Sequence, residues 1–463
     1  MDSLVIPGLL FPLLLPLLCC AGCGTIPDAL VLVRSPRFYG EPLRVTGAQG
    51  PLSTAQGEAI VAQLSRQSGS PDVLARHLAF EQAISGAPLI LGNRVTLLEN
   101  GAQTYPAMLS AIRAARESIN LETYIFSDDA LGRVFAGALI ARRRAGVRVN
   151  IIYDGFGSHA TPEVFFDTMR AAGIRVLEFN PIAPWRGHTV WAPDHRDHRK
   201  LLIVDGKIVF TGGMNISGSY LGGSGSLRER RSDPKFTSRD TDVEVEGPAV
   251  SAFQRLFFTT WRTEHGAPLN AADYFPVLLD RGHDIVRVLG SVPEQFTVIY
   301  LTLVSAVNNA ESNIYITDAY FAPDAQMLEA LEGAARRGVD VRLLVPGKTN
   351  EPFIGPATRS HYSELLRAGV KIYQWRGRML HAKTATIDGV WSTVGSSNLD
   401  WWSIARNNEV NLVILNTEFA ARMSLMFFND LEDSDRIDLQ HWEKRSLAER
   451  IDETFAGYLQ RML

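Results

Sequence analysis

The run HRKLLIVDGKIVFTGGMNIS occupies residues 198–217, and HAKTATIDGVWSTVGSSNLD occupies residues 381–400. Both place His, Lys, Asp-Gly, Gly and Asn at the same offsets, while most residues between them differ. Asp205-Gly206 and Asp388-Gly389 are tight-hairpin dipeptides between β-rich runs. The run before each turn is therefore expected to be a strand. Residues two apart on a strand share a face, so His198 and Lys200 point together, as do His381 and Lys383. The returning strand ends at Gly212-Gly213 or Gly395-Ser396, where backbone can approach a ligand closely. Asn215 and Asn398 follow as amide donors.

Working outward, the segments before the two runs also match. ARESINLETYIF (115–126) corresponds to AESNIYITDAYF (310–321), LIARRRAGVRVNIIYDG (139–155) to LEGAARRGVDVRLLVPG (331–347), and MRAAGIRVLEF (169–179) to LLRAGVKIYQW (365–375). Each pair reads as helix then strand, with Leu109, Ile112, Ala115 and Ile119 at helical spacing in the first. The chain is thus an internal duplication of α/β units. We expect domains at 88–275 and 276–463, after a segment 24–87 that holds one helix near Ser53–Arg66 and no evident chemistry.

Each repeat offers one imidazole, one ammonium, one amide and exposed backbone N–H groups, an inventory suited to a phosphoryl group. The turn position of Asp205 and Asp388 favours a structural task over a chemical one. A nucleophilic His needs an acceptor for its far nitrogen. Aligning RNNEVNL (406–412) with SRDTDVEVE (238–246) sets Asp242 opposite Glu409, which predicts the pairs His198–Asp242 and His381–Glu409.

The 463 residues are 46% hydrophobic and 21% charged, with a formal net charge of -4. That balance gives no electrostatic case for nucleic acid. There are three cysteines: Cys19 and Cys20 close the apolar run LVIPGLLFPLLLPLLCCAG (4–22), and Cys23 directly follows it. Pro7, Pro12 and Pro16 make this a poor membrane-spanning helix, and a signal core suits residues 1–23 better. CAGC resembles a bacterial lipobox, which implies a chain held in the cell envelope as a lipoprotein through Cys23. The last stretch, SLAERIDETFAGYLQRML, sets Leu447, Ile451, Phe455, Tyr458 and Met462 on one helical face. With few Lys or Arg around it, core packing is expected rather than membrane binding.

The two His-x-Lys-x4-Asp motifs resemble the signature of the phospholipase D superfamily. LETYIF, HRDHRKLLIVDGKIVFTGGMNIS, RDTDVEVEGPAV, RGVDVRLLVPGK, LHAKTATIDGVWSTVGSSNLD and NNEVNLVIL most resemble its bacterial cardiolipin synthases. Trp402 stands where such synthases usually carry Arg, and Ser238 where a Trp commonly precedes RDT. The resemblance implies tandem phospholipase D-like α/β/α domains about a pseudo-twofold axis, with the active site at their interface. It also implies a phospholipid substrate, phosphatidylglycerol foremost, and no metal or cofactor. His198 would be the nucleophile that becomes phosphohistidine, and His381 the acid and base. Lys200, Lys383, Asn215 and Asn398 would stabilise charge on phosphorus. Water as acceptor would make a phospholipase D instead, and the superfamily also contains nucleases. Trp185 and Trp191 could line a lipid entrance or simply pack a loop, and LRERRSDPK (227–235) reads as a solvated loop. A metal site around DHRDHRK, using His195 and His198, has the wrong spacing for a strand and no evident third ligand.

Overall fold

The computed structural model describes residues 43–68, 71–182, 194–221, 238–293, 298–348 and 354–459. Cys19, Cys20, Cys23, Trp185, Trp191, Met462 and the 227–235 run lie outside these residues. β1 (Val45–Gly47) and β2 (Gly50–Pro51) form a small hairpin on β3 (Leu89–Glu99). Next, β4 (Ser118–Thr123), β5 (Arg148–Asp154) and β6 (Arg175–Phe179) run parallel. The apolar residues of β4 and β5 are buried on both faces, as helix-covered parallel sheets require. A short β7 (Arg196–Asp197) leads to the hairpin of β8 (Leu201–Val204) and β9 (Ile208–Gly212). After β10 (Ser238–Arg239), β11 (Thr241–Glu246) closes the half between β9 and β3.

The second half repeats the plan: β12 (Asp284–Ser291), parallel β13 (Asn313–Thr317), β14 (Asp340–Pro346) and β15 (Lys371–Trp375), then a short β16 (Met379–Leu380). The hairpin of β17 (Thr384–Ile387) and β18 (Trp391–Gly395) follows, with β19 (Asn407–Leu415) between β18 and β12. β20 (Ser434–Arg436) pairs with the outer side of β15. Each hairpin strand β8 or β17 joins its parallel set by pairing antiparallel with β4 or β13. The spatial order is therefore β6-β5-β4-β8-β9-β11-β3, then its mirror β12-β19-β18-β17-β13-β14-β15. The antiparallel pair β3–β12 sits at the centre, with Asn93 opposite Asp284 and Ile90 opposite Val286. The expected two-fold duplication is thus built into one sheet. One apolar cluster takes Val243 and Val245 from β11, Val286 from β12, and Val394, Val410 and Leu412 from β18 and β19. The two halves share a core there and cannot move as independent bodies without opening it.

Both Asp-Gly turns form as read. Asp205 and Asp388 each have φ 52°, and Gly206 and Gly389 have φ 61° and 63°. Positive φ at both central residues gives the hairpin turn that matches strand twist. The Asp205 carboxylate accepts from the backbone N–H groups of Arg116, Glu117 and Ser118 at 2.7–3.0 Å. Asp388 does the same for Glu311, Ser312 and Asn313. Each Asp therefore ties its hairpin to the loop that starts β4 or β13, at the opposite end of the strand from the motif His. Seven residues of extended chain put them roughly 20 Å from it. They belong to the scaffold rather than to the chemistry.

The segment before β3 acquires a role. Helices Thr54–Ser68 and Pro71–Ser85 bring Glu81 into a fully buried position in the second half. There it accepts from Trp391 Nε1 at 2.8 Å and from Arg287 Nη1 at 2.5 Å, and it pairs with His77 at 2.7 Å. Burial alone would raise the Glu81 pKa, but the facing His77 and Arg287 hold it below the usual carboxylate range.

The last described helix, Leu447–Leu459, corrects an expectation. Its apolar stripe lies outside: Leu447 is 72% exposed, Ile451 60%, Phe455 62% and Tyr458 83%. Glu453 and Ala456 face inward instead. Glu453 is held by Arg359 at 3.3 Å and Arg445 at 2.9 Å, and those ion pairs set the helix orientation. No helix among the described residues is long and apolar enough to cross a membrane.

The scaffold role of the turn acids is testable. Asp205→Asn keeps the turn conformation but loses the charged acceptor of backbone N–H groups. It should cost about 1–3 kcal/mol of unfolding free energy in denaturant titration, with turnover per folded molecule within a few-fold of the parent.

Candidate active site

The two motif histidines stand at the carboxyl ends of the parallel strands. Leu201 lies opposite Glu122 at the end of β4, and Thr384 opposite Thr317 at the end of β13. This is the edge of an α/β sheet where ligands bind. His198 and Lys200 lie in an extended run just before β8, and His381 and Lys383 in the matching run before β17.

Each run leans on the opposite half. β7 pairs in parallel with the start of β19, Arg196 opposite Asn407 and Asp197 opposite Asn408. The His198 N–H then donates to the Asn408 carbonyl at 2.9 Å. Reciprocally, β10 pairs with β16, Ser238 opposite Met379 and Arg239 opposite Leu380, and the His381 N–H donates to the Arg239 carbonyl at 2.8 Å. The residue after each of those carbonyls supplies the carboxylate. His198 Nδ1 lies 2.9 and 3.0 Å from the two carboxylate oxygens of Glu409. His381 Nδ1 lies 2.9 Å from Asp240 Oδ2.

These contacts overturn both expected pairs. Glu409 serves His198, not His381, and Asp240 takes the place given to Asp242. Thr241 and Val410 accept from Gly213 N–H and Ser396 N–H respectively, so Asp240 matches Glu409 and Asp242 matches Asn411. Asp242 and Asn411 sit opposite Gly212 and Gly395, where any Cβ would collide with their side-chain oxygen. Asp242 Oδ1 accepts from Met214 N–H at 3.1 Å, and Asn411 Oδ1 from Ser397 N–H at 3.2 Å. Burial, with the neighbouring Asp240 charge, pushes Asp242 up to about 8. It is a brace for the glycine loop.

The carboxylate–imidazole pairs are buried, and burial lowers the pKa of His198 and of His381 to about 4 against the pull of their carboxylates. Burial opposes ionisation of Glu409 and Asp240 as well, yet His198 and His381, with the lysines, hold both below the usual range. Each pair is thus a carboxylate accepting from the Nδ1–H of a neutral ring, which leaves the Nε2 lone pair available. Burial also lowers Lys200 to about 7 and shifts Lys383 downward. Each ammonium donates to the carbonyl of its own motif His. Each also lies over a tyrosine ring, Lys200 over Tyr124 at 5.4 Å and Lys383 over Tyr320 at 5.9 Å. The charge of Lys383 bears on His198, and that of Lys200 on His381, so the motifs share one site.

The asparagines are partly committed. Asn215 accepts from Ile125 N–H at 3.0 Å and donates to Tyr220 Oη at 2.6 Å. Tyr220 packs edge-to-face on His381 of the other half at 5.3 Å. Asn398 reaches Ser403 Oγ at 3.4 Å, and its buried Oδ1 has no partner among the described residues. His195 Nε2 sits 3.2 Å from Asn408 Oδ1, on the strand that carries Glu409.

Several participants escaped the sequence reading. Asp240 did because RDTD offers two acids on one strand face. Ser396 donates its hydroxyl to Glu409. Arg199, fully buried, binds the Glu409 carbonyl at 3.2 Å and the Ser291 carbonyl at 2.7 Å, tying the His198 run to the second half. Asp197 is raised well above the carboxylate range by burial and by Glu122.

With this geometry in place, the family model described as "Cardiolipin synthase, PLD-like domain" matches residues 108–228 and 303–431. A cardiolipin synthase of Geobacillus kaustophilus is 31% identical over 382 residues, 81% of this chain and 74% of the relative. Cardiolipin synthase 1 of Bacillus anthracis is 33% identical, covering 82% and 75%. A cardiolipin synthase of Listeria monocytogenes is 34% identical, covering 82% and 77%. The fold is similar to the crystal structure of phosphatidylserine synthase from Haemophilus influenzae, with a TM-score of 0.59 at 12% identity over 80% of this chain and 93% of that one. Two matched repeats and the coverage of these relatives place the chain in the cardiolipin synthase family of phospholipase D-like proteins.

Proposed function

We propose that the chain is a phosphatidyltransferase that makes cardiolipin and glycerol from two phosphatidylglycerol molecules through a phosphohistidine. The observation that carries this reading is the pair of buried neutral imidazoles, each backed by a carboxylate from the opposite half. The relatives named cardiolipin synthase direct the choice of substrate. In the first displacement, His198 Nε2 attacks phosphorus and the bond to the glycerol headgroup breaks. His381, neutral in the free site, takes up a proton as the anionic phosphodiester arrives beside it and gives that proton to the departing oxygen, and glycerol leaves. In the second, a hydroxyl of another phosphatidylglycerol passes its proton to His381 and attacks phosphorus. The P–N bond breaks, cardiolipin forms, and both rings return to their starting states. Two imidazoles divide one hard step into two easier ones.

Lys200 and Lys383 supply positive charge where the five-coordinate phosphorus gathers negative charge. Glu409 orients the nucleophile and stabilises its cation, and Asp240 does so for the acid. Transfer between alcohols is nearly isoenergetic, so the outcome depends on which hydroxyl reaches the phosphohistidine before water does. We further infer that the enzyme works at the bacterial cell envelope, held there through the Cys23 segment.

The direct test offers phosphatidylglycerol vesicles and follows lipids by mass spectrometry, with His198→Ala as control. Cardiolipin plus free glycerol should form and fall at least 10³-fold in the control. Phosphatidic acid in their place would make the chain a hydrolase. Neither product would remove the phosphatidylglycerol reading. With a phosphatidyl ester of p-nitrophenol, whose leaving group needs no proton, the acid-labile phosphatidyl group trapped in His381→Ala should map to His198; its absence there would overturn the assignment of roles.

The pKa directions fix a pH profile. His198 must be neutral to attack, so kcat/KM should fall as pH drops toward about 4. Lys200 must be charged, and its pKa of about 7 means that charge is lost as pH rises. His381 must also gain a proton, so kcat/KM should decline as pH rises above about 4 and decline more steeply above about 7, and a flat profile from 7 to 9 would contradict the role of Lys200.

A further inference from the structure

The helix Leu447–Leu459 is inside out for a helix packed on a protein: its polar Glu453 faces the body, and its apolar stripe faces away. Two arginines on Glu453 fix that orientation, so rotating the stripe inward would leave them without their carboxylate. The helix packs on Ile354–Ser360, where Gly457 meets the Ser360 side chain. That shorter helix follows the loop leaving the carboxyl end of β14, the same sheet edge at which His381 stands. The helix therefore lies toward the sheet edge that carries the active site, on the second-half side. On the first-half side, the loops leaving β5 and β6 expose Phe156 and Ile182 at the matching edge. The cations Lys348 and Arg378, also on this edge, are exposed.

We propose that this rim rests on an anionic phospholipid bilayer, with Leu447, Ile451, Phe455 and Tyr458 set among the acyl chains and the helix axis lying in the plane of the interface. The inference rests on the phosphatidyltransferase reading, which requires lipid to enter the cleft from a bilayer. Position argues for it, because the helix lies toward the sheet edge at which a headgroup must reach His381. Size argues for it too. Four such side chains present roughly 500 Å², short of the about 800 Å² per partner that a stable protein dimer buries. An interfacial helix needs an apolar face and attraction to anionic lipid, and since Glu449 and Asp452 are exposed beside Arg450 on this one, neighbouring cations must supply the latter. Lys348 and Arg378 do so.

Hydrogen exchange by mass spectrometry on the full chain tests this locally, apart from any hold exerted by the N-terminal segment. Three conditions are compared: phosphatidylglycerol vesicles, phosphatidylcholine vesicles, and the soluble headgroup diester glycerophosphoglycerol. Amides of 447–459 should slow several-fold with phosphatidylglycerol vesicles, less with phosphatidylcholine, and not at all with the headgroup. The variant L447S/I451S/F455S/Y458S should lose that protection while keeping its thermal midpoint, since the replaced side chains are exposed. Unchanged exchange in chains that float with the vesicles would overturn the proposal. So would protection without lipid: growing with protein concentration, it would assign the stripe to a second copy, and independent of concentration, to another segment of the chain. Activity is not the readout, so protected amides in a chain that transfers no lipid would sink the phosphatidyltransferase reading and leave the membrane surface standing.

Discussion

Everything at the site depends on an exchange: each half lends the other the carboxylate that its imidazole needs. The exchange begins in the backbone, where β7 pairs with β19 and β10 with β16. It ends in two buried Nδ1–carboxylate contacts of 2.9 Å. Burying such charge is costly unless every partner is in place. An isolated half would leave its imidazole without that acceptor and its carboxylate without that donor. The shared apolar cluster across β11, β12, β18 and β19 keeps those partners registered. Docking of the halves and completion of the site are therefore one event.

The two-fold plan is broken in the surroundings of the two histidines. Ser396 donates to Glu409, while Gly213 at the matching position has no side chain to offer Asp240. The first half buries Asp197 and Glu122 beside the His198 run, where the second half has Leu380 and Thr317. The second half instead buries Asp318 and Asp400 around Lys383, where the first has Thr123 and Ser217. Burial lifts Asp318 to about 8 and Asp400 to about 7. Within these unequal surroundings burial still lowers both imidazoles alike, to about 4.

The duplicated skeleton, the Asp-Gly turns and the identity of the motif histidines and lysines were legible from spacing alone, because they are local patterns of turn chemistry and strand period. The carboxylate partners were not. In RDTD the two acids lie two residues apart, on one strand face, and only the pairing of β10 with β16 decides between them. Crossing between halves leaves no trace in spacing either. The helix Leu447–Leu459 shows the same limit in another form. Its 3.6-residue period reveals an apolar face, but which face meets the protein was settled by Arg359 and Arg445 on Glu453. Glu81 needed Arg287 and Trp391, more distant still along the chain, before the segment that carries it had any visible purpose.

The exchange of carboxylates is tested most directly by comparing single-turnover rates of Glu409→Gln, Asp240→Asn and Asp242→Asn at matched folded fraction. The crossed arrangement requires the first two to lose about 10²–10⁴-fold, the range expected when an imidazole loses its orienting carboxylate. Asp242→Asn, which mimics Asn411 in the other half, should stay within about tenfold, since its oxygen can still accept from Met214 N–H. A folded Asp242→Asn protein as slow as Asp240→Asn, or a fully active Glu409→Gln protein, would contradict the account.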